Sequence, residues 1–484
     1  MSKNFHRLLC LLATICLCGC GSIGRFHGVG NEHLSLSKIP GTLSAKMILR
    51  STAVATARAP VASTKTGVVM WNDRMYTLIR GTAPLPRLRL DRGDPLPPKA
   101  GGEAFEGLLD SENLPPRVKG FVQVFVDGEE FFPFYLNAIR RARTSIDVQT
   151  YIFDNDPFGV EVADLLKQKS REIPVRVYFD GLGTALAMAK LPENQPEDFK
   201  PPYNMRRYLT KDSNVKVRRT MNPYLVADHT KLHLIDGRTA FLGGMNIGTE
   251  YRHEWHDLMV AVEGPVVDEL IDLYNYRWNG EDWRRNWGLT GWWGDKKDAK
   301  SASTPIPANH LQDLRVLRTD TPAGKRDIMK AALLAIRSAS TRIWVQTPYF
   351  SSDEIAEELE DASERGVDVR IIIPGENDSD LMTLSNLEAL KDLIKSGARV
   401  YEYPGMTHLK AMVCDDWAMF GSANKDTLSM RINRELSLAT SDPRTVKTLE
   451  QRLFLKDFRI SKPVTEESLT HWGGPIIDRI GDQL

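Results

Sequence analysis

The chain has 484 residues, enough for two domains of ordinary size, with 63 basic and 63 acidic side chains and a formal net charge of zero. Removing residues 1 to 19 would take away Lys3 and Arg7 and no acid, leaving 61 basic against 63 acidic groups. That balance gives no support to nonspecific nucleic-acid coating, which calls for a strongly basic face.

At the N-terminus, Lys3, His6 and Arg7 precede an apolar run from Leu8 to Cys18, followed by small residues and Cys20. The run is short for a membrane span and reads as a secretory signal peptide over residues 1–20. Leu17-Cys18-Gly19-Cys20 resembles a bacterial lipobox, although Cys18 is an unusual occupant of its position. The resemblance implies that Cys20 becomes the acylated first residue of the mature protein, and Gly21 after it implies no inner-membrane retention signal. A lipid-anchored, periplasm-facing place in the bacterial cell envelope is then expected, with the outer membrane favoured. A plain signal peptide or an uncleaved anchor is the alternative. Cys10, Cys16, Cys18 and Cys20 all belong to this segment, so Cys414 is the one ordinary thiol and no intramolecular disulfide is expected.

Residues 21–118 are punctuated by Pro60, Pro84, Pro86, Pro95, Pro97, Pro98, Pro115 and Pro116 and show little periodicity. They read as a Pro-rich tether or an arm that hugs another domain. A repeat then begins: AIRRARTSIDVQTYIF (Ala138 to Phe153) returns as AIRSASTRIWVQTPYF (Ala335 to Phe350), and VRVYFDG returns as VRIIIPG. Each copy reads as amphipathic helix, strand, helix, strand, that is, βα units on a sheet. Phe134, Leu136, Ala138 and Ile139 are the expected core positions of the first such helix. The expected division is a first lobe over 119–295, a Lys/Ser/Pro-rich linker over 296–310, and a second lobe over 311–484.

Each lobe carries the same chemical pattern. His229-x-Lys231-x4-Asp236 is followed by Gly243-Gly244-x-Asn246, and His408-x-Lys410-x4-Asp415 by Gly421-Ser422-x-Asn424; Asp257 and Glu435 each lie eleven positions after their Asn. On a strand, residues at i and i+2 share a face, so the spacing predicts His229 with Lys231 and His408 with Lys410 pointing together. Apolar strands are expected at Leu232 to Ile235 and Ala411 to Cys414, turns at Asp236-Gly237 and Asp415-Asp416, and second strands at Thr239 to Leu242 and Trp417 to Phe420. Asp236 and Asp415 read as structural members of the motif, and Cys414 as a buried apolar residue. His233 shares the face of His229; it would either touch a ligand or be a tolerated strand substitution.

Two further compositions stand out. Trp278, Trp283, Trp287, Trp292 and Trp293 are interleaved with Arg284, Arg285, Lys296 and Lys297, which fits either a membrane–water interface or the packing of a long connection. Arg206, Arg207, Lys211, Lys216, Arg218 and Arg219 form a basic run that fits solvated surface or anionic headgroups.

Two imidazoles, two ammoniums and two amides in one place suit a phosphodiester. The cations and amides bind the anionic oxygens and stabilise developing charge, while the imidazoles supply a nucleophile and a general acid. Asp257 and Glu435 are placed to hold the imidazole tautomers. Zinc is the competing reading of His-rich sequence, but Lys is no usual ligand and neither HExxH nor CxxC spacing occurs.

The doubled H-x-K-x4-D with trailing G-[GS]-x-N resembles the phospholipase D superfamily. Within it, DGEEFFPFYLNAIRRARTSIDVQTYIFDNDPFG and GSANKDTLSMRINRELSLAT resemble bacterial cardiolipin synthases and related phospholipase D-like proteins, over roughly residues 120 to 460. The resemblance implies two α-β-α sandwich lobes sharing one central active site, no cofactor or metal, and a covalent phosphohistidine. It implies His229 as nucleophile and His408 as acid, Lys231, Lys410, Asn246 and Asn424 as phosphate-binding groups, and phosphatidyl transfer as the reaction. Phosphatidylglycerol or phosphatidylethanolamine at a membrane surface is the expected substrate. Hydrolysis to phosphatidic acid and nuclease activity are the alternatives.

Overall fold

The computed structural model describes residues 67–68, 97–188, 196–220, 226–280, 306–376, 386 and 390–465. After helix α1 (Glu103–Ser111) the first half runs β1 (Val118–Val126), α2 (Gly128–Arg141), β2 (Ile146–Thr150), α3 (Pro157–Lys169), β3 (Val175–Phe179), β4 (Lys216–Arg219), β5 (Leu232–Ile235), β6 (Thr239–Gly243), β7 (Leu258–Glu263) and α4 (Val266–Gly280). The second half runs β8 (Gln312–Asp320), β9 (Lys325–Arg326), α5 (Asp327–Ser338), β10 (Arg342–Gln346), α6 (Asp353–Glu364), β11 (Asp368–Pro374), β12 (Arg399–Tyr403), β13 (Ala411–Cys414), β14 (Trp417–Gly421), β15 (Arg434–Thr440), α7 (Pro443–Leu449), α8 (Leu455–Ile460) and β16 (Lys462–Val464).

All sixteen strands among the described residues belong to one sheet, ordered β4-β3-β2-β5-β6-β7-β1-β8-β15-β14-β13-β10-β11-β12-β16, with β9 beside β8. Read outward from the β1–β8 seam the two halves have the same order. Both pair their repeat strands in parallel (β2–β3, β10–β11) and join them to the motif hairpin antiparallel (β2–β5, β10–β13). The seam itself is short and antiparallel, with Val118, Lys119 and Gly120 opposite Leu314, Asp313 and Gln312. Gly120 has no room for a side chain: a Cβ there would lie 2.6 Å from Val266 and 2.7 Å from Leu314.

Strands buried on both faces read as near-continuous apolar runs. On β13, Met412 and Cys414 enter a core under α5 and α6, whereas Ala411 and Val413 face a middle core that includes α4, α7 and residues of both halves. A third core under α2 and α3 receives Ile235 and Phe241. Phe134 is a correction to the sequence reading. It is 41% exposed, because the buried stripe of α2 runs through Phe132, Tyr135, Leu136 and Ile139 at helical spacing and Phe134 falls off it; Ala138 is partly buried against the same core.

The described part of the N-terminal region packs on the second half. Phe105 of α1 meets Trp417 edge-on at 6.0 Å, and Glu106 pairs with fully buried Arg315 at 2.7 Å. Among the described residues no helix is long and apolar enough to cross a membrane. The signal segment with Cys20 and the tryptophans from 283 to 293 lie outside the described residues. Trp278 is described and is buried, stacked on Tyr274 and covered by Arg218, so it packs α4 and is no interfacial residue.

Candidate active site

The motif hairpins form where the sequence places them, but the ladders begin at Leu232 and Ala411, just after Lys231 and Lys410. The expected strand placement of the two His-x-Lys segments is therefore corrected. Their backbones are taken up by the opposite half instead. Arg434 N–H donates to Ala227 O and Arg434 O accepts from His229 N–H, both at 2.9 Å; His256 N–H donates to Met406 O at 3.1 Å and His256 O accepts from His408 N–H at 2.8 Å. These two parallel bridges bring the halves of the site together.

The orienting carboxylates cross in the same way. His229 Nδ1 lies 3.1 Å from Glu435 Oε2, and His408 Nδ1 lies 2.6 Å from Asp257 Oδ2. Nδ1 of His229 also lies 3.1 Å from Ser422 O, and Ser422 Oγ donates to Glu435 Oε2 at 2.5 Å. Gly244 occupies the slot of Ser422 in the first half, and a Cβ there would come within 2.1 Å of Asp257 Oδ1. With Nδ1 held, each Nε2 is the ring nitrogen left for chemistry.

Lys231 Nζ donates to His229 O at 2.8 Å, and Lys410 Nζ donates to His408 O. Asn246 Oδ1 accepts from Ile152 N–H at 3.0 Å and Thr150 Oγ1 at 3.3 Å, which fixes the amide and leaves Nδ2 buried without a protein partner. A buried donor aimed at nothing in the protein is what an anion site requires. Asn424 differs: its amide bonds Asp426, and its Oδ1 is the atom left over.

Burial dominates the titration of the cluster. It lowers His229, with the Lys231 charge adding to it and Glu435 opposing it. His408 falls well below its ordinary range through burial and the charges of Lys410 and Lys231. Lys231 is likewise well lowered by burial and by Lys410. Burial pushes Asp257 up to about 7, against the pull of Lys410. The site thus holds cations at a cost that a bound anion would relieve.

Asp236 and Asp415 sit elsewhere, at the far ends of β5 and β13, both with left-handed backbone (φ 57° and 47°). Asp236 accepts from the backbone N–H groups of Arg143, Thr144 and Ser145; Asp415 accepts from those of Ser340, Thr341 and Arg342. Each tethers its hairpin to the loop that enters the neighbouring repeat strand. His233 faces away from the site, packed against Tyr135 at 4.8 Å with the rings tilted by 49°, and burial drops it to about 3. Among the described residues no group of three or more His, Cys, Asp or Glu is placed to hold a metal ion.

Sequence reasoning missed the aromatic wall. Tyr151 packs on His229 at 4.8 Å with Lys231 Nζ 5.3 Å from its ring; Tyr251 and Trp255 pack on His408 at 5.4 and 5.3 Å. One signal was present: Tyr151 is one of six positions at which the two 16-residue copies of the repeat differ, its counterpart being Pro348.

Comparison with known proteins shows the family of the chain. The family described as cardiolipin synthase, PLD-like domain, matches residues 135–278 and 333–455. Probable cardiolipin synthase YwiE of Bacillus subtilis (strain 168) is 29% identical over 377 residues, covering 75% of this chain and 70% of that protein. Cardiolipin synthase A of Pseudomonas fluorescens (strain SBW25) is 30% identical over 372 residues, covering 73% and 72%. The phosphatidylserine synthase crystal structure from Haemophilus influenzae Rd KW20 shares the fold, with a TM-score of 0.57 at 16% identity, over 78% of this chain and 96% of that one.

Proposed function

Because the chain belongs to the cardiolipin synthase family of phospholipase D-like proteins, we propose that it is a phosphatidyltransferase working through one site shared by two homologous lobes. The observation that carries the mechanism is the crossed pairing, in which each imidazole takes its orienting carboxylate from the other half. His229 Nε2 attacks the phosphorus of a phospholipid, forming a P–N bond as the P–O bond to the headgroup breaks. His408 gives its proton to the departing alkoxide. In the second step His408 takes the proton of an acceptor hydroxyl, whose oxygen displaces His229 from phosphorus.

Lys231, Lys410 and the unpaired Nδ2 of Asn246 hold the phosphoryl oxygens through both steps, whereas Asn424, whose amide is donated to Asp426 and whose Oδ1 can only accept, does not share that role. Phosphatidylglycerol suits both roles, as donor releasing glycerol and as acceptor yielding cardiolipin; phosphatidylethanolamine is a second donor. The substrate is taken at a membrane surface. Acylation of Cys20 would keep the enzyme there, and mass spectrometry of the N-terminal peptide, with Cys20→Ser as control, tests that anchor.

The decisive experiment incubates protein lacking residues 1–20 with phosphatidylglycerol and phosphatidylethanolamine liposomes, with a His229→Ala control, and resolves the lipids by mass. Cardiolipin formed only with intact His229 is the expected result. Phosphatidic acid without cardiolipin would make the enzyme a hydrolase, and absence of lipid turnover would overturn the reading.

A further inference from the structure

His256 lies one residue before Asp257 and takes no part in the steps above, yet its ring is the most heavily engaged imidazole near the site. Nδ1 is 2.7 Å from Asp127 Oδ1 and Nε2 is 2.9 Å from Asp457 Oδ2, and the ring stacks on Tyr403 at 4.7 Å and 7°. Carboxylates only accept, so both ring nitrogens must donate, and the ring is an imidazolium. Burial works against that charge, but the two carboxylates outweigh it and raise His256 to about 10.

The partners come from both halves. Asp127 links β1 to α2, and its carboxylate also accepts from Asp257 N–H at 3.2 Å; Asp457 lies on α8 and Tyr403 ends β12. The backbone of His256 is meanwhile bonded to Met406 and His408. The residue therefore grips the segment that supplies Asp257 against the segment that supplies His408.

The same arrangement occurs a second time. Arg434 lies one residue before Glu435, and its guanidinium reaches Asp320 of its own half and Asp228 of the other, both at 3.7 Å. Asp228 immediately precedes His229. Two cations at matching positions, each held by one acid from either half, are a repeated device rather than a local accident.

The geometry points to His256 and Arg434 as positioning residues: charged clamps between the halves that fix the Asp257–His408 and Glu435–His229 pairs. The groups facing the His256 ring are Asp127, Asp457, Asp257 and Tyr403, so removing its charge leaves Asp257 with less cationic support and a stronger hold on its proton. The inference rests on the phosphoryl-transfer reading of this site.

The test measures steady-state cleavage of bis(p-nitrophenyl) phosphate across pH 5 to 9, a probe that depends on neither lipid packing nor a lipid acceptor, since water displaces His229 from phosphorus. His256→Gln should lower kcat by about tenfold or more with KM little changed, as loss of an outer-shell orienting group does. Its acid limb should move to higher pH, and His256→Arg, which copies Arg434, should restore both. Wild-type kcat and pH profile in His256→Gln would overturn the clamp, as would an Arg variant no better than the Gln variant. If His256→Gln does not fold, Asp457→Asn carries the test through kcat, with a loss of about tenfold expected and a wild-type kcat overturning the proposal. A wild type inert toward the diester would refute the phosphoryl-transfer reading instead.

Discussion

The carboxylate of Asp257, from the first half of the chain, meets the imidazole of His408, from the second, with Oδ2 and Nδ1 2.6 Å apart. Glu435 does the reverse service for His229 at 3.1 Å. Each motif is thus chemically incomplete in its own half.

Isosteric amides separate the two services. Asp257→Asn and Glu435→Gln keep the shape but favour the wrong tautomer of the opposite histidine, and by analogy with triad aspartates each should lower kcat roughly 10³–10⁴-fold. Rapid-quench measurement of the phosphoenzyme should show slow formation with Glu435→Gln, because that carboxylate serves the nucleophile. Fast formation there would reassign the nucleophile to His408.

Close packing at Gly244 makes a second prediction. A methyl group there would press on Asp257 Oδ1. Gly244→Ala should reduce kcat about 10–100-fold through displacement of that carboxylate, a typical outer-shell effect. Ser422→Ala removes one hydrogen bond to Glu435 and one from Leu436 N–H without pressing on either carboxylate, and should cost less. Parallel kcat measurements, with circular dichroism to verify folding, decide the order.

Asp236 predicts an effect on stability. Burial alone would raise its carboxyl, but the Thr144, Arg143 and Ser145 donors outweigh this and hold it below the ordinary value. The stability it contributes is therefore present above pH 3.8 and lost as pH falls through its lower folded-state value. Asp236→Ala strands those donors and should cost about 2–3 kcal/mol in urea unfolding at pH 7, with less difference from wild type at pH 3.

His256 has the opposite pH signature. Its folded-state pKa, about 10, is above the ordinary 6.5. Its contribution is complete below pH 6.5 and disappears as pH rises through about 10. Between pH 7 and 10 the Tm of the wild type should therefore fall more steeply than that of His256→Gln, in matched thermal melts.

Much of this was legible in the sequence because the repeat and the motif hairpins are local. β5 and β13 have the bounds their apolar runs predict, and β6 and β14 extend one residue further, to Gly243 and Gly421. The placement of His229 and His408 outside the strands is not readable from i, i+2 spacing, which says nothing about a backbone whose partner is 205 or 152 residues away in the other half. Crossed pairing is invisible for the same reason: Asp257 follows His229 by 28 residues and Glu435 follows His408 by 27, so each carboxylate stands nearest in sequence to the histidine it does not meet, and only the sheet decides the pairing. His256 and Arg434 look like ordinary polar residues until the acids of both halves are seen around them.

The three-residue seam between β1 and β8 has a consequence for the origin of the chain and for its dissection. A lone ancestral lobe could have completed its acid–base pairs only by docking with a second copy of itself, so a symmetric homodimer would precede the fused gene. By the same logic, a polypeptide severed between Gly280 and Ile306 yields two fragments that are each inert and that regain turnover only on recombination.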